Sequence, residues 1–387
     1  MKIIAIDVMR IAMPFSSGRE DDPFNDTGGG DAYNAASRQL TRMETLLVRI
    51  TTDNGLLGWG EGFGHLSNPV TYAALAGPVG RFFIDKIFDG TPDGLGRLMD
   101  QAQRAFHAFG RSGAVQFALS ALDIGLWDIC AKQAGLPLWQ LLGASRSEIG
   151  VYASLVSYDN DPVQVAAHAR RAYDAGFHSI KLHETEYAAI AAARAALPVD
   201  AQLMVDVNCP WTVDEACRQA VALRELNLGW LEEPVWPPDD LAGLARVREC
   251  GIPIAAGENA QGVQGFVQHF IAGAVSVAQP SVAKIGGISA ALEVYRLARA
   301  HRVNVVPHCF YYGAALMATA HLVATLPEDT QLEVPYLQWP EPLYGELNFQ
   351  PRMTLPLTPG LGFAPDEAIL ARYCIANTSL NRETTSC

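Results

Sequence analysis

The sequence has few charged residues and no excess of basic ones. Charged side chains make up 18% of the 387 residues, and 28 Lys and Arg stand against 41 Asp and Glu, giving a formal net charge of −13. A protein that holds nucleic-acid phosphates or lies on an anionic membrane needs a basic face. We therefore expect neither a nucleic acid nor a membrane as a partner.

Long apolar runs and paired cysteines are also lacking. No stretch reaches the ~18 apolar residues that span a bilayer, and Asp7 and Arg10 interrupt the amino-terminal stretch where a signal peptide would be continuous. The seven cysteines are scattered and include no C-x-x-C pair, which argues against a disulfide framework or a thiolate zinc site. We expect a cytoplasmic protein.

The amino-terminal part has the pattern of a mixed sheet-and-helix unit. Residues 4–8 and 45–50 alternate as β-strands do, and Asp53-Asn54-Gly55 predicts a hairpin to the next strand. Residues 16–34 are rich in Gly, Asp and Asn and predict a loop, either a lid over a substrate or a plain surface linker. Residues 112–133 carry apolar side chains at helical spacing and predict a long helix.

After residue 150, short apolar runs alternate with Ala-rich helical stretches. The eight runs are GVYASL, HSIKLH, QLMVDVN, GWLEEP, PIAAGE, VSVAQP, NVVPH and QLEVP. The predicted helices that follow the first seven are at 162–175, 185–197, 213–227, 238–250, 262–272, 287–301 and 313–325. This order predicts parallel strands closed into a (β/α)8 barrel whose last helix is reduced or replaced. A doubly wound open sheet is the alternative, but the Gly-rich turn expected after its first strand is missing.

Three consecutive runs end in a carboxylate. Asp206, Glu232 and Glu258 are each separated by 26 residues, so one acid recurs per strand–helix unit. Active sites of such barrels lie at the carboxyl ends of the strands, where three acids would repel each other unless a cation lay between them. Mg²⁺ prefers such hard oxygen ligands. The alternative is three unrelated acids that cap helices or form salt bridges. Glu233 points away from Glu232 and is expected to pair elsewhere.

Other strand ends carry groups that hold charge or move protons. Lys181 and His183 are two residues apart, so they share a face of their strand and are expected to point into the barrel mouth. His308 ends the seventh run and is a candidate acid or base on the other side of a bound substrate. Glu333, in the eighth run, either bonds a substrate group or forms a plain salt bridge within the barrel.

Taken in order, these motifs resemble the mandelate racemase/muconate lactonizing enzyme family of the enolase superfamily. The matching stretches are ALDIGLWDICAKQAGLPLWQLLGA, KLH, MVDVN, WLEEP, AAGEN, PSVAKIGGIS, PHC and GLGFAPDE. The resemblance implies a modified (β/α)7β barrel of the TIM type at residues 146–344. An α+β capping domain, formed by residues 1–145 and completed by the tail 345–387, is implied to close it. This arrangement accounts for the missing eighth helix.

The resemblance also implies a reaction. Members remove the proton α to a carboxylate and form an enediolate, with a lysine or histidine base and Mg²⁺ as cofactor. Asp206, Glu232 and Glu258 match the metal ligands, and Lys181 matches the lysine that neutralises the substrate carboxylate. His183 stands where a second lysine, the usual base, is found.

The remaining roles come from the same comparison. His308 matches the histidine on the opposite face of the substrate, and Glu333 matches the acid that assists the substrate carboxylate. Supporting or substrate-binding residues are expected to be Asn208, Lys284, Tyr33 and His65. The last two lie in cap loops that touch substrate in this family. The resemblance further implies a small carboxylate substrate and a homo-oligomer.

Two departures from the family pattern shift the expected reaction. Histidine replaces lysine at 183, and Ser281 stands where an aspartate usually orients the histidine matched by His308. Without that carboxylate, His308 loses a partner that would stabilise its imidazolium form. Racemisation needs two comparable bases, whereas elimination or cycloisomerisation needs one base and one acid. We therefore expect dehydration or cycloisomerisation of a sugar acid or its lactone. A racemase or epimerase is the alternative, and a catalytically silent acid-binding barrel is a third possibility.

Overall fold

The computed structural model describes residues 1–19, 42–63, 68–345 and 349–383. The strands are β1 (Ile3–Pro14), β2 (Arg42–Thr52), β3 (Leu57–Gly62), β4 (Glu148–Ser154), β5 (Ser179–Leu182), β6 (Gln202–Asp206), β7 (Leu231–Glu232), β8 (Ile254–Ala256), β9 (Val277–Ala278), β10 (Asn304–Val305), β11 (Gln331–Pro335), β12 (Arg352–Thr354) and β13 (Cys374–Asn381). They form two separate sheets.

Helices surround both sheets. They are α1 (Asn68–Ala76), α2 (Pro78–Phe83), α3 (Pro92–Ala105), α4 (Gly113–Ala134), α5 (Leu138–Leu141), α6 (Pro162–Asp174), α7 (Tyr187–Ala196), α8 (Val213–Leu223), α9 (Leu241–Arg248), α10 (Gly262–Ala272), α11 (Val282–Ile285), α12 (Gly287–His301), α13 (Ala314–Val323) and α14 (Glu367–Tyr373). The helices predicted from α6 onward are confirmed, with ends that differ by a few residues.

The smaller sheet, with α1–α4, forms the cap. Its strand order is β13-β1-β2-β3, and each pair runs antiparallel. The predicted hairpin of β2 and β3 is confirmed. Helix α4 packs tightly on β3 at Gly60. A Cβ atom at this position would lie only 1.9 Å from the carbonyl oxygen of Ala121. The two backbones can approach this closely only where β3 carries glycine.

Helix α4, with 22 residues, is long and apolar enough on average to cross a membrane, although Asp123 and Asp128 interrupt its apolar sequence. However, 83% of its apolar window is buried inside the protein. Its burial between the cap sheet and the barrel gives this helix the character of a core helix.

The larger sheet is the barrel. Eight parallel strands are paired in the order β10-β9-β8-β7-β6-β5-β4-β11, and β12 adds an antiparallel strand to β4. Within the described chain no ladder joins β10 to β11, so the predicted closed ring has a seam there. Pro307 follows β10 and lacks the N–H that a longer ladder would need. Across the seam, the Cys309 backbone N–H donates to the Glu333 carboxylate at 2.8 Å.

The modified barrel with an α+β cap is therefore confirmed, including the missing eighth helix. In the described chain no helix follows β11 until α14. Strand β13 joins the cap sheet, as expected of a tail that completes the cap. The boundary near residue 145 stays a prediction. Helices α1–α3 were not foreseen from the sequence.

Buried polar groups of the cap hold the barrel helices. Asp123 on α4 accepts hydrogen bonds from the Ser289 backbone N–H (3.0 Å) and hydroxyl (2.6 Å), near the start of α12. Glu61 on β3 accepts one from the Ala315 N–H (2.7 Å), at the start of α13. Carboxylates are favourable at helix amino termini because free N–H groups and the helix dipole point at them. Each acid thus links the cap to one barrel helix.

Asp123 provides a test of this interface through pH. Burial raises its pKa from 3.8 to about 7, although its bonds to Ser289 lower it. Between pH ~4 and about 7, Asp123 keeps its proton in the folded state and releases it in the unfolded state. The contribution of Asp123 to the unfolding free energy is therefore complete below pH ~4 and is lost as pH rises through about 7. From pH 5 to pH 8, the wild type should lose about 2–3 kcal/mol more unfolding free energy than Asp123→Asn. Urea unfolding at several pH values measures this difference.

The exposed Asp100, which pairs with Arg104 on the surface of α3, supplies the control. Asp100→Asn should keep the wild-type pH dependence. Parallel stability curves for the wild type and Asp123→Asn would contradict the assignment.

Candidate active site

The three predicted metal ligands meet at the carboxyl end of the barrel. Asp206 ends β6, Glu232 ends β7 directly beside it in the ladder, and Glu258 follows β8. Each offers a carboxylate oxygen, and these oxygens all lie within 4.8 Å of one another. The first two side chains are fully buried, and 15% of the Glu258 side chain is exposed. The sequence spacing of 26 residues therefore does correspond to one cluster.

None of these acids serves as a helix cap. The residues that cap the following helices α8, α9 and α10 are Thr212, Asp240 and Gln261. The helix-capping part of the alternative is therefore wrong. Its salt-bridge part is met, because Asp206 and Glu232 pair with Lys181 and Glu258 pairs with Lys284.

Lys181 is the positive charge at the centre of the cluster. Its Nζ lies 2.7 Å from a Glu232 oxygen, 2.7 Å from a Glu333 oxygen and 3.5 Å from Asp206 Oδ2. Burial alone would lower the pKa of Lys181, but the surrounding carboxylates, Glu232 first, raise it well above its usual range. Lys181 therefore stays protonated.

Burial sets the electrostatics of the acids. It raises the pKa of Glu232 well above the usual range, and Lys181 offsets only part of this effect. Burial acts the same way on Asp206 and Glu258. At Asp206, the charges of Lys181 and His183 outweigh the effect of burial and lower the pKa. At Glu258, the charges of Lys284 and His308 outweigh it and lower the pKa well below its usual value. The cluster thus contains more negative charge than its neighbouring lysines neutralise.

This donor set fits a divalent cation. Carboxylate oxygens are the ligands that Mg²⁺ prefers, and a cation would offset the repulsion between them. A buried amide oxygen supports the fit, because Asn208 Oδ1 has no hydrogen-bond partner in the described structure. Buried polar atoms normally have partners, so this atom points to a polar ligand.

Asn208 fixes one of the three acids. Its backbone N–H and its side-chain amide both donate to Asp206 Oδ1, at 2.9 and 2.8 Å. The backbone of Asn208 has a positive φ of 52°, a conformation uncommon outside glycine that asparagine adopts more readily than most residues. The predicted supporting role of Asn208 thus has a structural basis in the orientation of Asp206.

Glu233 links the loops that carry the other ligands, a function not foreseen from the sequence. It points away from Glu232, as expected, and accepts hydrogen bonds from the Gly257 backbone N–H (3.0 Å) and the Cys209 thiol (3.3 Å). Burial, followed by the nearby Glu258 charge, raises the pKa of Glu233 to about 7. One side chain thereby ties the loop after β6 to the loop after β8.

His183 and His308 both reach the cluster, but from different strands and with different partners. His183 Nε2 lies 3.4 Å from Asp206 Oδ2, and its Nδ1 is hydrogen-bonded to the carbonyl oxygen of Leu155. His308 Nε2 lies 2.8 Å from Glu258 Oε2, and its Nδ1 lies 3.1 Å from the Ser281 hydroxyl. Four strands separate β5 from β10 along the paired sheet.

Two further predicted residues lie at the same end of the barrel. Lys284 Nζ is 3.5 Å from Glu258 Oε1 and 4.1 Å from the centre of the Phe63 ring, so it contributes positive charge beside the triad. Glu333 is fully buried between Lys181 and the Cys309 N–H. Glu333 therefore forms a salt bridge within the barrel, and its bond to a substrate group stays a prediction. Tyr33 and His65 lie outside the described residues, as does most of the predicted lid.

Sequence comparison identifies the family of the chain. Residues 33–143 match the profile of the mandelate racemase/muconate lactonizing enzyme amino-terminal domain, and residues 164–369 match that of the enolase carboxy-terminal domain-like family. The chain belongs to the mandelate racemase/muconate lactonizing enzyme family. It is thus an enolase-superfamily enzyme of the lyase or isomerase class.

Relatives within this family include cycloisomerases and dehydratases. The chain is 32% identical to 3,6-anhydro-alpha-L-galactonate cycloisomerase of Streptomyces coelicolor, over 75% of this chain and 80% of the relative. It is 33% identical to D-galactarolactone cycloisomerase of Agrobacterium fabrum, over 77% and 79%. It is 30% identical to L-talarate/galactarate dehydratase of Salmonella typhimurium, over 87% and 85%.

Solved structures of the family share the fold and include magnesium complexes. A racemase from Streptomyces coelicolor with bound magnesium superimposes with a TM-score of 0.80 at 26% identity, covering 96% of this chain and 100% of that one. L-Talarate dehydratase from Polaromonas, solved with Mg and L-glucarate, gives 0.79 at 25% identity, with coverage of 98% and 99%.

Asp206 provides the direct test of the family metal site. Asp206→Asn removes one charged ligand and leaves the side-chain volume unchanged, so we expect Mg²⁺ binding to be lost in calorimetric titration. The exposed Asp214, paired with Arg246 on the protein surface, supplies the matched control, and Asp214→Asn should bind as the wild type does. Equal Mg²⁺ affinity in Asp206→Asn and the wild type would rule out this site.

Glu233 provides an independent test of the metal site, because it is not a predicted ligand and acts by holding the loops after β6 and β8 in place. Glu233→Ala frees both loops and should weaken Mg²⁺ binding about 10–100-fold, as is typical when a residue that orients ligands is removed. Glu233→Gln keeps an acceptor for the Gly257 N–H and should lose much less. If both variants bind Mg²⁺ with wild-type affinity, the linkage has no effect on the metal site.

Proposed function

We propose that this chain removes the proton α to the carboxylate of a sugar acid or its lactone and then cleaves the bond to a β-oxygen. Departure of a hydroxyl group as water makes the reaction a dehydration. Departure of a ring oxygen, which stays attached elsewhere in the substrate, makes it a cycloisomerisation. We propose Mg²⁺ as the cofactor, held by Asp206, Glu232 and Glu258.

One observation carries this proposal. Two histidines, His183 and His308, flank the acid cluster, and their outer nitrogens have unlike partners, a carbonyl oxygen in one case and a hydroxyl in the other. Two equal bases would suit a racemase, since either face of the substrate must then lose a proton. An unequal pair suits a reaction in which one group takes a proton and the other gives one.

The relatives support the same reaction class. The three named above act on sugar acids or their anhydro and lactone forms, by cycloisomerisation or dehydration. One related dehydratase was solved with L-glucarate, a hydroxylated dicarboxylate. This support concerns the reaction and the substrate class.

In the proposed reaction, Lys181 stabilises negative charge and the two histidines transfer protons. The α-proton is weakly acidic because its removal adds a second negative charge to a carboxylate. Lys181 places a fixed positive charge where that charge develops, and bound Mg²⁺ supplies Lewis-acid stabilisation at the same place. One histidine takes the α-proton. The other protonates the departing oxygen as the carbon–oxygen bond breaks, so that the group leaves as a neutral hydroxyl or water.

Racemisation remains the second candidate, because one structural neighbour with bound magnesium is named a racemase. Ser281 argues against it in this chain. A hydroxyl cannot stabilise the imidazolium form of His308 as a carboxylate would. A homo-oligomeric state stays a prediction as well.

A substrate screen in deuterated water tests the proposal. Sugar acids and their lactones, including galactarate, glucarate, galactonate and 3,6-anhydrogalactonate, are incubated with the Mg²⁺-loaded enzyme. We expect at least one to give a product with deuterium at the β-carbon, where the enol left by departure of the oxygen is protonated by solvent as the α-carbon becomes a ketone. That product either lacks one water or is isomeric with the substrate. Mass spectrometry and proton NMR separate these two products.

Asp206→Asn serves as the control and should show no turnover. A deuterated epimer as sole product would favour the racemase instead. No deuterium in any product or recovered substrate, with Mg²⁺ binding verified, would overturn the proposed function.

A further inference from the structure

A large cavity lies inside the barrel, one layer of side chains below the acid cluster. We call it the lower cavity, and its volume is about 1050 Å³. Its inner wall consists of Tyr152, Met204, Trp230, Val277, Val306 and Gln331. It reaches the protein surface, because exposed residues such as Arg299 line its mouth.

The position of the lower cavity follows from the pleat of the strands. Residues two apart on a strand share a face, so Met204 points into the barrel below Asp206. In the same way, Trp230 lies below Glu232, and its indole N–H donates to Glu232 Oε2 at 2.8 Å. Trp230 therefore lies between the lower cavity and the acid cluster.

The seam of the barrel explains why this space is not filled. The interior of a (β/α) barrel is normally packed with layers of side chains. Here the lower cavity is lined from both sides of the seam, by Val305 of β10 and Gln331 of β11. It extends outward as far as α12, which contributes Leu292 and Tyr295. The missing ladder between β10 and β11 thus joins the barrel interior to a space beneath a helix.

The wall of the lower cavity has the chemistry of a small-molecule site. Its aromatic and aliphatic side chains form a hydrophobic cluster separate from the main core. The hydroxyl oxygens of Tyr152 and Tyr295 are buried and have no hydrogen-bond partner in the described structure, and Tyr152 is 1% exposed. Buried hydroxyls normally have partners, and a bound ligand can supply them. Ligand sites typically combine apolar walls with a few such polar groups.

The mouth of the lower cavity carries positive charge on a protein that is acidic as a whole. Arg296, Arg299 and Arg302 line it, against one acid, Asp329. Arg296 is paired with Glu293 at 2.6 Å. Among the described residues, the side chains of Arg299 and Arg302 have no ion-pair or hydrogen-bond partner. Guanidinium groups bind carboxylates and phosphates through two parallel hydrogen bonds, so this mouth suits an anion.

We propose that the lower cavity is a second binding site, separate from the metal site, for a small anion with an apolar body. The aromatic or aliphatic body of the ligand packs against Met204 and Trp230. Its carboxylate or phosphate group lies beside Arg299 and Arg302. Binding requires neither Mg²⁺ nor turnover, so this inference goes beyond the proposed function and does not depend on it.

A fluorescent probe with this chemistry tests the site. Anilinonaphthalene sulfonate has an aromatic body and one anionic group, and its emission rises in apolar surroundings. Titrated into the Mg²⁺-free protein, it should bind saturably. The double variant Arg299→Gln, Arg302→Gln should raise its Kd at least about tenfold, because two charged hydrogen-bond donors are lost. Arg104→Gln is the matched control, since Arg104 is exposed on α3 outside the cavity, and it should bind as the wild type does.

Two further variants locate the bound probe. Val306→Phe fills part of the lower cavity without changing charge, so it should abolish saturable binding. Circular dichroism verifies that this variant is folded, and if it is not, the arginine variant decides alone. Asp206→Asn alters only the metal site and should bind the probe with wild-type affinity.

Displacement of the probe identifies the anionic group of the ligand. Phenyl phosphate and phenylacetate differ in that group, and displacement by either supports the site and shows which group it prefers. Neutral benzyl alcohol should displace the probe at least about tenfold more weakly.

Several results would overturn the second site. They are wild-type probe affinity in the arginine variant or in folded Val306→Phe, loss of probe binding in Asp206→Asn, and equal displacement by benzyl alcohol and the two anions. A substrate screen without deuterium incorporation would contradict only the proposed function, so the two proposals fail separately.

Discussion

Negative charge crowded into the carboxyl end of a buried barrel is the constraint on which the rest of the site depends. Asp206, Glu232 and Glu333 are all within 3.5 Å of Lys181 Nζ, and all four side chains are at most 1% exposed. Burial of several carboxylates is unfavourable unless cations and hydrogen-bond donors surround them. The neighbouring amides, lysines and backbone N–H groups follow from that need. So does the fit of the cluster to a divalent cation.

The same constraint explains why the backbone is unusual just there. Asn208, Cys209 and Glu233 all have positive φ angles, between 46° and 59°. Such conformations are costly for residues other than glycine, and they persist where surrounding interactions overdetermine them. Here the hydrogen bonds of Asn208 to Asp206 and of Glu233 to Gly257 supply those interactions. The hydrogen bonds that orient the metal ligands thus also offset the cost of these positive φ angles.

Features that recur in each strand–helix unit could be predicted from the sequence, whereas contacts that occur only once could not. The 26-residue recurrence of Asp206, Glu232 and Glu258 reflects one strand–helix unit, so both barrel and metal site were accessible from spacing. The seam beside β10, the link made by Glu233 and the hydrogen bond between the hydroxyls of Tyr311 and Ser281 have no periodic signal. They join residues such as Glu233 and Gly257, or Ser281 and Tyr311, whose proximity arises only when neighbouring strands are in register. Ser281 was noticed as a departure, but its partner was not.

The order of the cap strands has a consequence for synthesis of the chain. Strand β1 lies between β2 and β13, and residues 374–381 of β13 are translated only after the whole barrel. Until then, one edge of β1 has unpaired N–H and C=O groups, which are a template for pairing with other chains. A nascent chain therefore carries an open sheet edge throughout barrel translation. This edge of β1 is covered only once β13 has been translated and has paired with it.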